Sequence, residues 1–185
     1  KARPIMQELS DRFEATTNLA ALDGGSVVYI EKVQSTAQTI QLVTYVGGSL
    51  PAHATALGKV LVACLPPSDR EEWFESHDYV ALTRHTLTTP EQLEEEIDFF
   101  RRHGYAIDDE EFHEGVLCIA APVHNHTGRA VAAMSLTGIK SRWLAEGPEY
   151  TNVLGLAVRD AAQELSHQLG FDSAQLDGGR DSRQL

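Results

Sequence analysis

Cysteine is scarce in this chain of 185 residues, with only Cys64 and Cys118. Two cysteines cannot make the dense framework that holds small secreted domains together, so a reducing, cytoplasmic setting is the plainer expectation. Positive charge is short as well: 15 Lys and Arg stand against 27 Asp and Glu, for a formal net charge of −12. That balance repels phosphate backbones and anionic headgroups, so this stretch is not expected to grip DNA or a membrane surface by itself. No apolar run reaches the ~20 residues of a membrane span, and Lys1-Ala-Arg-Pro4 lacks a signal peptide's apolar stretch. The short motifs that carry a mechanism are missing: there is no G-x-S-x-G, G-x-G-x-x-G, C-x-x-C or H-E-x-x-H. Gly58-Lys59-Val60 fails as a phosphate loop, having no hydroxyl after the lysine and no upstream glycine. No initiating Met is present, as expected of a piece of something longer. What remains is globular in composition, 42% hydrophobic and 23% charged, which excludes a disordered chain, a collagen-like fibre and a coiled-coil rod. One domain is the default at this length.

Periodicity orders the elements. Ile5, Leu9 and Phe13 recur at four-residue steps behind Pro4, predicting an amphipathic helix over 4–16. Leu19–Leu22 and Val27–Val33 read as a hairpin turning at Asp23-Gly24-Gly25-Ser26, and Ile40–Val46 as a third strand. Short helices follow over Thr55–Leu65 and about Ser68–Ser76. Thr89-Pro90-Glu91-Gln92 is a capped helix start, with Leu93, Ile97 and Phe100 on its stripe, an Asp98–Arg102 pair and Gly104 to close it. Tyr105–Ile107, Val116–Val123 and Ala130–Thr137 read as strands, the last two turning at Asn125-His126-Thr127-Gly128. Pro148 opens a long closing helix, and Asp172–Leu185 reads as a polar, flexible tail after a domain spanning 1–171. Helices do not alternate strictly with strands, so the fold class is α+β: one antiparallel sheet with helices packed on it.

Parity along the last hairpin carries the chemistry. Leu117, Ile119, Ala121 and Val123 share a face with Ala132, Met134 and Leu136; the opposite face holds Cys118, Ala120, Pro122, Ala133, Ser135 and Thr137. So small a face either lets a helix lie very close or leaves a cavity floored by Cys118, Ser135 and Thr137. The stretch Leu50 to Lys59 leads into a helix whose first turns carry Ala54, Ala56 and Gly58, where exposed amides and the helix dipole favour an anion. Taken alone, that segment is more simply an ordinary helix start with glycine for close packing. Within Asp108-Asp109-Glu110-Glu111, one inward carboxylate would prefer a ligand offering OH or NH. His124-Asn125-His126 has alternate imidazoles, as a metal site would, but two exposed hairpin-loop residues is the plainer reading.

Four ordered segments then resemble the effector-binding domain of IclR-type transcriptional regulators. They are Leu50-Pro-Ala-His-Ala-Thr-Ala-Leu-Gly-Lys59, Gly104-Tyr-Ala-Ile-Asp-Asp-Glu-Glu111, Gly115-Val-Leu-Cys-Ile-Ala-Ala-Pro-Val123 and Ala133-Met-Ser-Leu-Thr-Gly138, within a likeness running over about 1–170. The resemblance implies a GAF/profilin-like curved sheet flanked by helices and a concave face that binds a small organic effector, often a carboxylate. It places Leu50, Ala56, Leu57, Asp108, Cys118, Ser135 and Thr137 on the ligand, with Thr39 as a further candidate. The chain departs from some relatives in having Ala56-Leu57 where smaller pairs occur and Thr137 where Ser is common. No catalytic residue, cofactor or metal is implied. The partners implied are the effector, further copies in a homodimer or homotetramer, and operator DNA, reached only through a winged helix-turn-helix domain that nothing in these residues resembles. Two other readings are a small GAF-like redox enzyme working through Cys118 and a pure oligomerisation module.

Overall fold

The computed structural model describes residues 1–35 and 44–172. Helix α1 (Ala2–Phe13) opens the chain and buries Ile5, Met6, Leu9 and Phe13. Strands β1 (Thr16–Asp23) and β2 (Ser26–Gln34) follow as the expected hairpin. Its turn needs a left-handed residue, and Gly24 supplies it with φ +57°. The expected strand Ile40–Val46 falls in its first part, 40–43, outside the described residues, and 44–46 are not in a strand. Among the described residues the next strand is β3 (Ser49–Pro51), which pairs with β2 through Val27 and Leu50. After a 3-10 turn at Ala52–Ala54 come α2 (Ala56–Ala63), α3 (Pro67–Ser76), α4 (Pro90–His103), β4 (Ala106–Asp109), β5 (Val116–His124) and β6 (Ala130–Ile139). A short α5 (Lys140–Leu144), which periodicity did not signal, precedes the long α6 (Tyr150–Gln168).

Local signals placed the ends of α4 well, whereas α1, expected over 4–16, stops at Phe13 because Glu14 turns left-handed with φ 48°. Thr89 caps α4 by accepting the Gln92 N–H at 3.3 Å, and Gly104 closes it with φ +79°. The return half of the capping box is displaced by one residue, since the Gln92 carbonyl takes the Thr88 N–H at 2.8 Å. Asp98 pairs with Arg101 at 2.7 Å rather than with Arg102, because Arg101 lies between Asp98 and Glu94 and reaches both.

All strand pairings are antiparallel, and the sheet runs β3-β2-β1-β6-β5-β4. The bulky face of β5 and β6 packs on α1 and α6, whose Leu154, Val158, Ala162 and Leu165 are buried. The small face receives α2 and, beyond it, α4 through Leu93 and Ile97. Helix α2 is buried from Ala56 to Val62, as an element apolar nearly all round must be. Helices thus cover both faces of one antiparallel sheet, the α+β, GAF-like build. Among the described residues, no helix is long and apolar enough to cross a membrane.

Candidate functional site

The small sheet face has two ends with different fates. At one end Ala20, Ala106, Ala120 and Ala133 lie under Val60 and Leu61 of α2, their lack of bulk letting the helix settle close. At the other end, past the N-terminus of α2, the same alternation presents Asp108, Cys118, Ser135 and Thr137. A cavity of about 330 Å³ remains there, lined by Tyr29, Thr44, Leu50, Thr55–Leu57, Asp108, Phe112–Val116, Cys118, Ser135, Thr137 and Ile139. Leu50, Ala56, Leu57, Asp108, Cys118, Ser135 and Thr137, which the sequence singled out, all line this one space; Thr39 lies outside the described residues.

Pairing register sets the floor. Cys118 stands opposite Thr137, Asn18 opposite Ser135, and Asp108 opposite Cys118. Thr44 donates to Asn18 Oδ1 at 3.2 Å, and the Asn18 amide donates to Ser135 and Thr137, each at 3.4 Å. Thr137 and Asp108 flank Cys118 from the two neighbouring strands. Burial, reinforced by Asp108, pushes the Cys118 thiol well above its usual range. Cys118 is therefore a neutral donor, not the thiolate that redox or nucleophilic work requires. Burial also raises the Tyr29 phenol. The roof is the start of α2, where Thr55 Oγ1 accepts the Gly58 N–H at 3.1 Å while no described residue accepts from the N–H groups of Ala56 and Leu57.

Beside the cavity lies a buried charge cluster that the sequence reading missed. Lys59, fully buried, donates to Glu111 at 2.5 Å and to Glu96 at 3.1 Å. Glu111 donates its backbone N–H to Asp108 at 2.8 Å. Burial works against the Lys59 charge, but Glu111 and Glu96 outweigh it and the ammonium is held above its ordinary value. Several carboxylates compete for that one cation, so burial still lifts Asp108 to about 6 and Glu111 to about 7. The sequence carried a signal in Lys59, a lysine in an otherwise apolar helix, but not its partner 52 residues away.

Outside the cavity, His53 and His77 are joined Nδ1 to Nε2 at 2.7 Å, and His53 Nε2 bonds the Val80 carbonyl at 3.0 Å. The two contacts are met together when both rings are neutral. Trp73 stacks on His77 at 4.0 Å between ring centres. Burial, with His53 second, lowers His77 to about 4. His124 is not the exposed loop residue expected: it ends β5, half-buried and stacked on Phe171 at 5.0 Å. No group of three or more His, Cys, Asp or Glu placed to hold a metal occurs among the described residues.

Comparison with known proteins agrees with this architecture. Residues 1–167 match the family model "Bacterial transcriptional regulator IclR C-terminal". The HTH-type transcriptional regulator XynR of Escherichia coli (strain K12) is 39% identical over 171 residues, 92% of this chain and 66% of that protein, so the chain spans just under two thirds of that relative's length. The crystal structure of Thermotoga maritima IclR superposes with a TM-score of 0.85 at 29% identity, over 92% of this chain and 67% of that one. The inducer-binding domain of an Acinetobacter PobR double mutant, solved as a complex with 3-hydroxybenzoic acid, gives a TM-score of 0.78 at 31% identity, over 89% of this chain and 95% of that one. The chain belongs to the IclR family of bacterial transcriptional regulators and carries its C-terminal, effector-binding regulatory domain.

Proposed function

We propose that the cavity beside β5 and β6 is the effector site, that its ligand is a small organic carboxylate, and that Leu50, Ala56, Leu57, Asp108, Cys118, Ser135 and Thr137 contact it. The observation that carries this reading is the joining in one space of a polar floor and an amide-bearing helix start. A volume of about 330 Å³ sits at the small end of the ~300–1,000 Å³ typical of ligand pockets, which suits a metabolite rather than a peptide. The carboxylate would sit at the N–H groups of Ala56 and Leu57 with the Ser135 hydroxyl. Leu50, Leu57, Phe112, Val116 and Ile139 form the apolar wall for its body, and Asp108 favours a hydroxyl at the far end.

In the whole protein, occupancy of this site biases the arrangement of subunits and so changes how a separate DNA-binding domain meets its operator; such coupling is commonly worth ~1–3 kcal/mol. Assembly as a homodimer or homotetramer is part of the reading, and exposed Leu144, Val153 and Leu156 offer an apolar surface for it. Both cysteines are free thiols, which fits the cytoplasm.

Thermal melts of the domain against small carboxylates, with 3-hydroxybenzoate included, test the site. A ligand at a hundred times its Kd stabilises by about 2.7 kcal/mol, a rise of roughly 5–10 °C at this size. Leu57→Trp, which fills the cavity, should abolish the rise. A rise that survives Leu57→Trp, or none with any acid, refutes the assignment.

A further inference from the structure

The walls of the cavity carry an uneven charge. Asp108 on the cavity wall and Glu111 beside the cavity are 3% and 5% exposed, and the cation bonded to Glu111 is Lys59, at 0%. Lys59 is shared further with Glu96, which stands half-exposed on α4. Of the two Glu111 carboxyl oxygens, one takes the Lys59 proton and the other, Oε2, is buried without a hydrogen-bond partner. Of the other titratable groups that line the cavity, Tyr29 from β2 and Cys118 from β5 are neutral, and His113 and Glu114 lie on the segment 112–115. His113 spends Nδ1 on the Glu114 carbonyl, at 2.7 Å.

One ammonium therefore faces two deeply buried carboxylates, plus a third that is half-exposed. A carboxylate ligand held at the start of α2 would add another negative charge to the same cavity of about 330 Å³ that Asp108 lines. Neutralising it by rearrangement would mean moving Lys59 off Glu111, which strands a buried acid; a proton from solvent does the same work without moving an atom of the frame.

Resting on the reading of this cavity as a carboxylate site, we propose that the effector binds together with one proton, taken up by the Asp108–Glu111 pair, so that effector affinity rises as pH falls. The process balances simply: an anion and a proton enter, one O–H bond forms on the pair, and the buried charge is unchanged. Which carboxyl holds the proton is a property of the pair. Burial already lifts the two acids to about 6 and 7, so little further bias is needed near neutrality. The sign follows from linkage. A nearby anion raises the pair above its free values, and uptake occurs between the free and bound values, above about pH 7. Below about pH 6 the free pair already carries its proton and the dependence flattens.

Calorimetric titration of the chain with 3-hydroxybenzoate, benzoate and small 2-hydroxy acids, in phosphate and in Tris at pH 7.5, tests this. Support is a binding enthalpy that differs between the buffers in proportion to their ionisation enthalpies, approaching one proton, with affinity falling towards tenfold between pH 7 and pH 8. Glu111→Gln should flatten that profile. Glu96→Gln, at a half-exposed position, should free Lys59 for the pair and shift the profile to lower pH, which keeps a variant in hand if the buried one fails to fold. Binding with equal enthalpies in both buffers and a flat pH profile overturns the coupling and leaves the effector site standing. No binding by any of these acids overturns the carboxylate site itself, and the coupling with it.

Discussion

A methyl group added to Gly58 should do what a helix propensity table says it will not. Replacing glycine by alanine in a helix ordinarily stabilises by up to ~1 kcal/mol. Here a Cβ on Gly58 would lie 2.1 Å from the Ala52 carbonyl oxygen and 2.4 Å from the Ala52 Cα, both backbone atoms that no rotamer change can clear. The turn at Ala52–Ala54 must move off α2 or α2 must move off the sheet. Overpacking of this kind costs ~1–3 kcal/mol. The Gly58 N–H also donates to the capping Thr55 Oγ1 at 3.1 Å, and losing a cap adds ~1 kcal/mol. Offset by the propensity gain, Gly58→Ala should lose about 1–3 kcal/mol, a fall in Tm of roughly 2–12 °C. Because the displaced stretch carries Thr55, Ala56 and Leu57, effector binding should weaken as well. Urea denaturation gives the first quantity and ligand-induced thermal shift the second. A variant as stable as the parent would mean that the close approach of α2 to the Ala52 turn is not what this position requires.

Other perturbations probe the remaining packing and charge. Lys59→Met leaves Asp108 and Glu111 without their cation, so a loss of about 3–5 kcal/mol is expected at pH 8. The loss should shrink by pH 5, where both elevated carboxyls take protons, and urea melts giving the same loss at both pH values would contradict the cluster's role. In the parent, the raised values of Asp108 and Glu111 mean the folded state holds protons the unfolded state has released, so their contribution to stability declines as pH rises from about 4 to about 7. His77, lowered to about 4, acts in the opposite sense: its contribution is complete above about 6.5 and is lost as pH falls towards 4. Emission from Trp73, stacked on that ring, should change across this window in the parent and not in His77→Phe; an unchanged midpoint in the variant would assign the transition to another group. Gly155→Ala places a Cβ 2.4 Å from the Tyr105 ring, which its hydroxyl ties to Asn152 at 3.0 Å, so about 1–3 kcal/mol should be lost on urea denaturation where propensity alone expects a gain.

How far the site was legible follows from the range of each signal. The polar floor was visible because alternation along a strand is a relation between residues two apart, and the start of α2 because a cap acts over three. Asn18 gave no such sign. It bonds the floor residues Ser135 and Thr137 only because β1 inserts between β2 and β6, setting it 117 residues from Ser135 in sequence and directly opposite in register. Tyr29 and Phe112–Val116 were likewise missed, since their place on the cavity depends on the sheet order and on how the segment after β4 returns.

By themselves, the residues determined most element types, though not α5 or β3, together with the two faces of the last hairpin and the small side chains that keep one of them open, since these rest on local periodicity and volume. Only the tertiary structure decided that the alanine end of that face is capped by α2 while the polar end stays hollow, and that Lys59 meets Glu111 across 52 residues. The physical reason is that a void and a buried ion pair are properties of elements brought together, and local preferences leave free which elements meet.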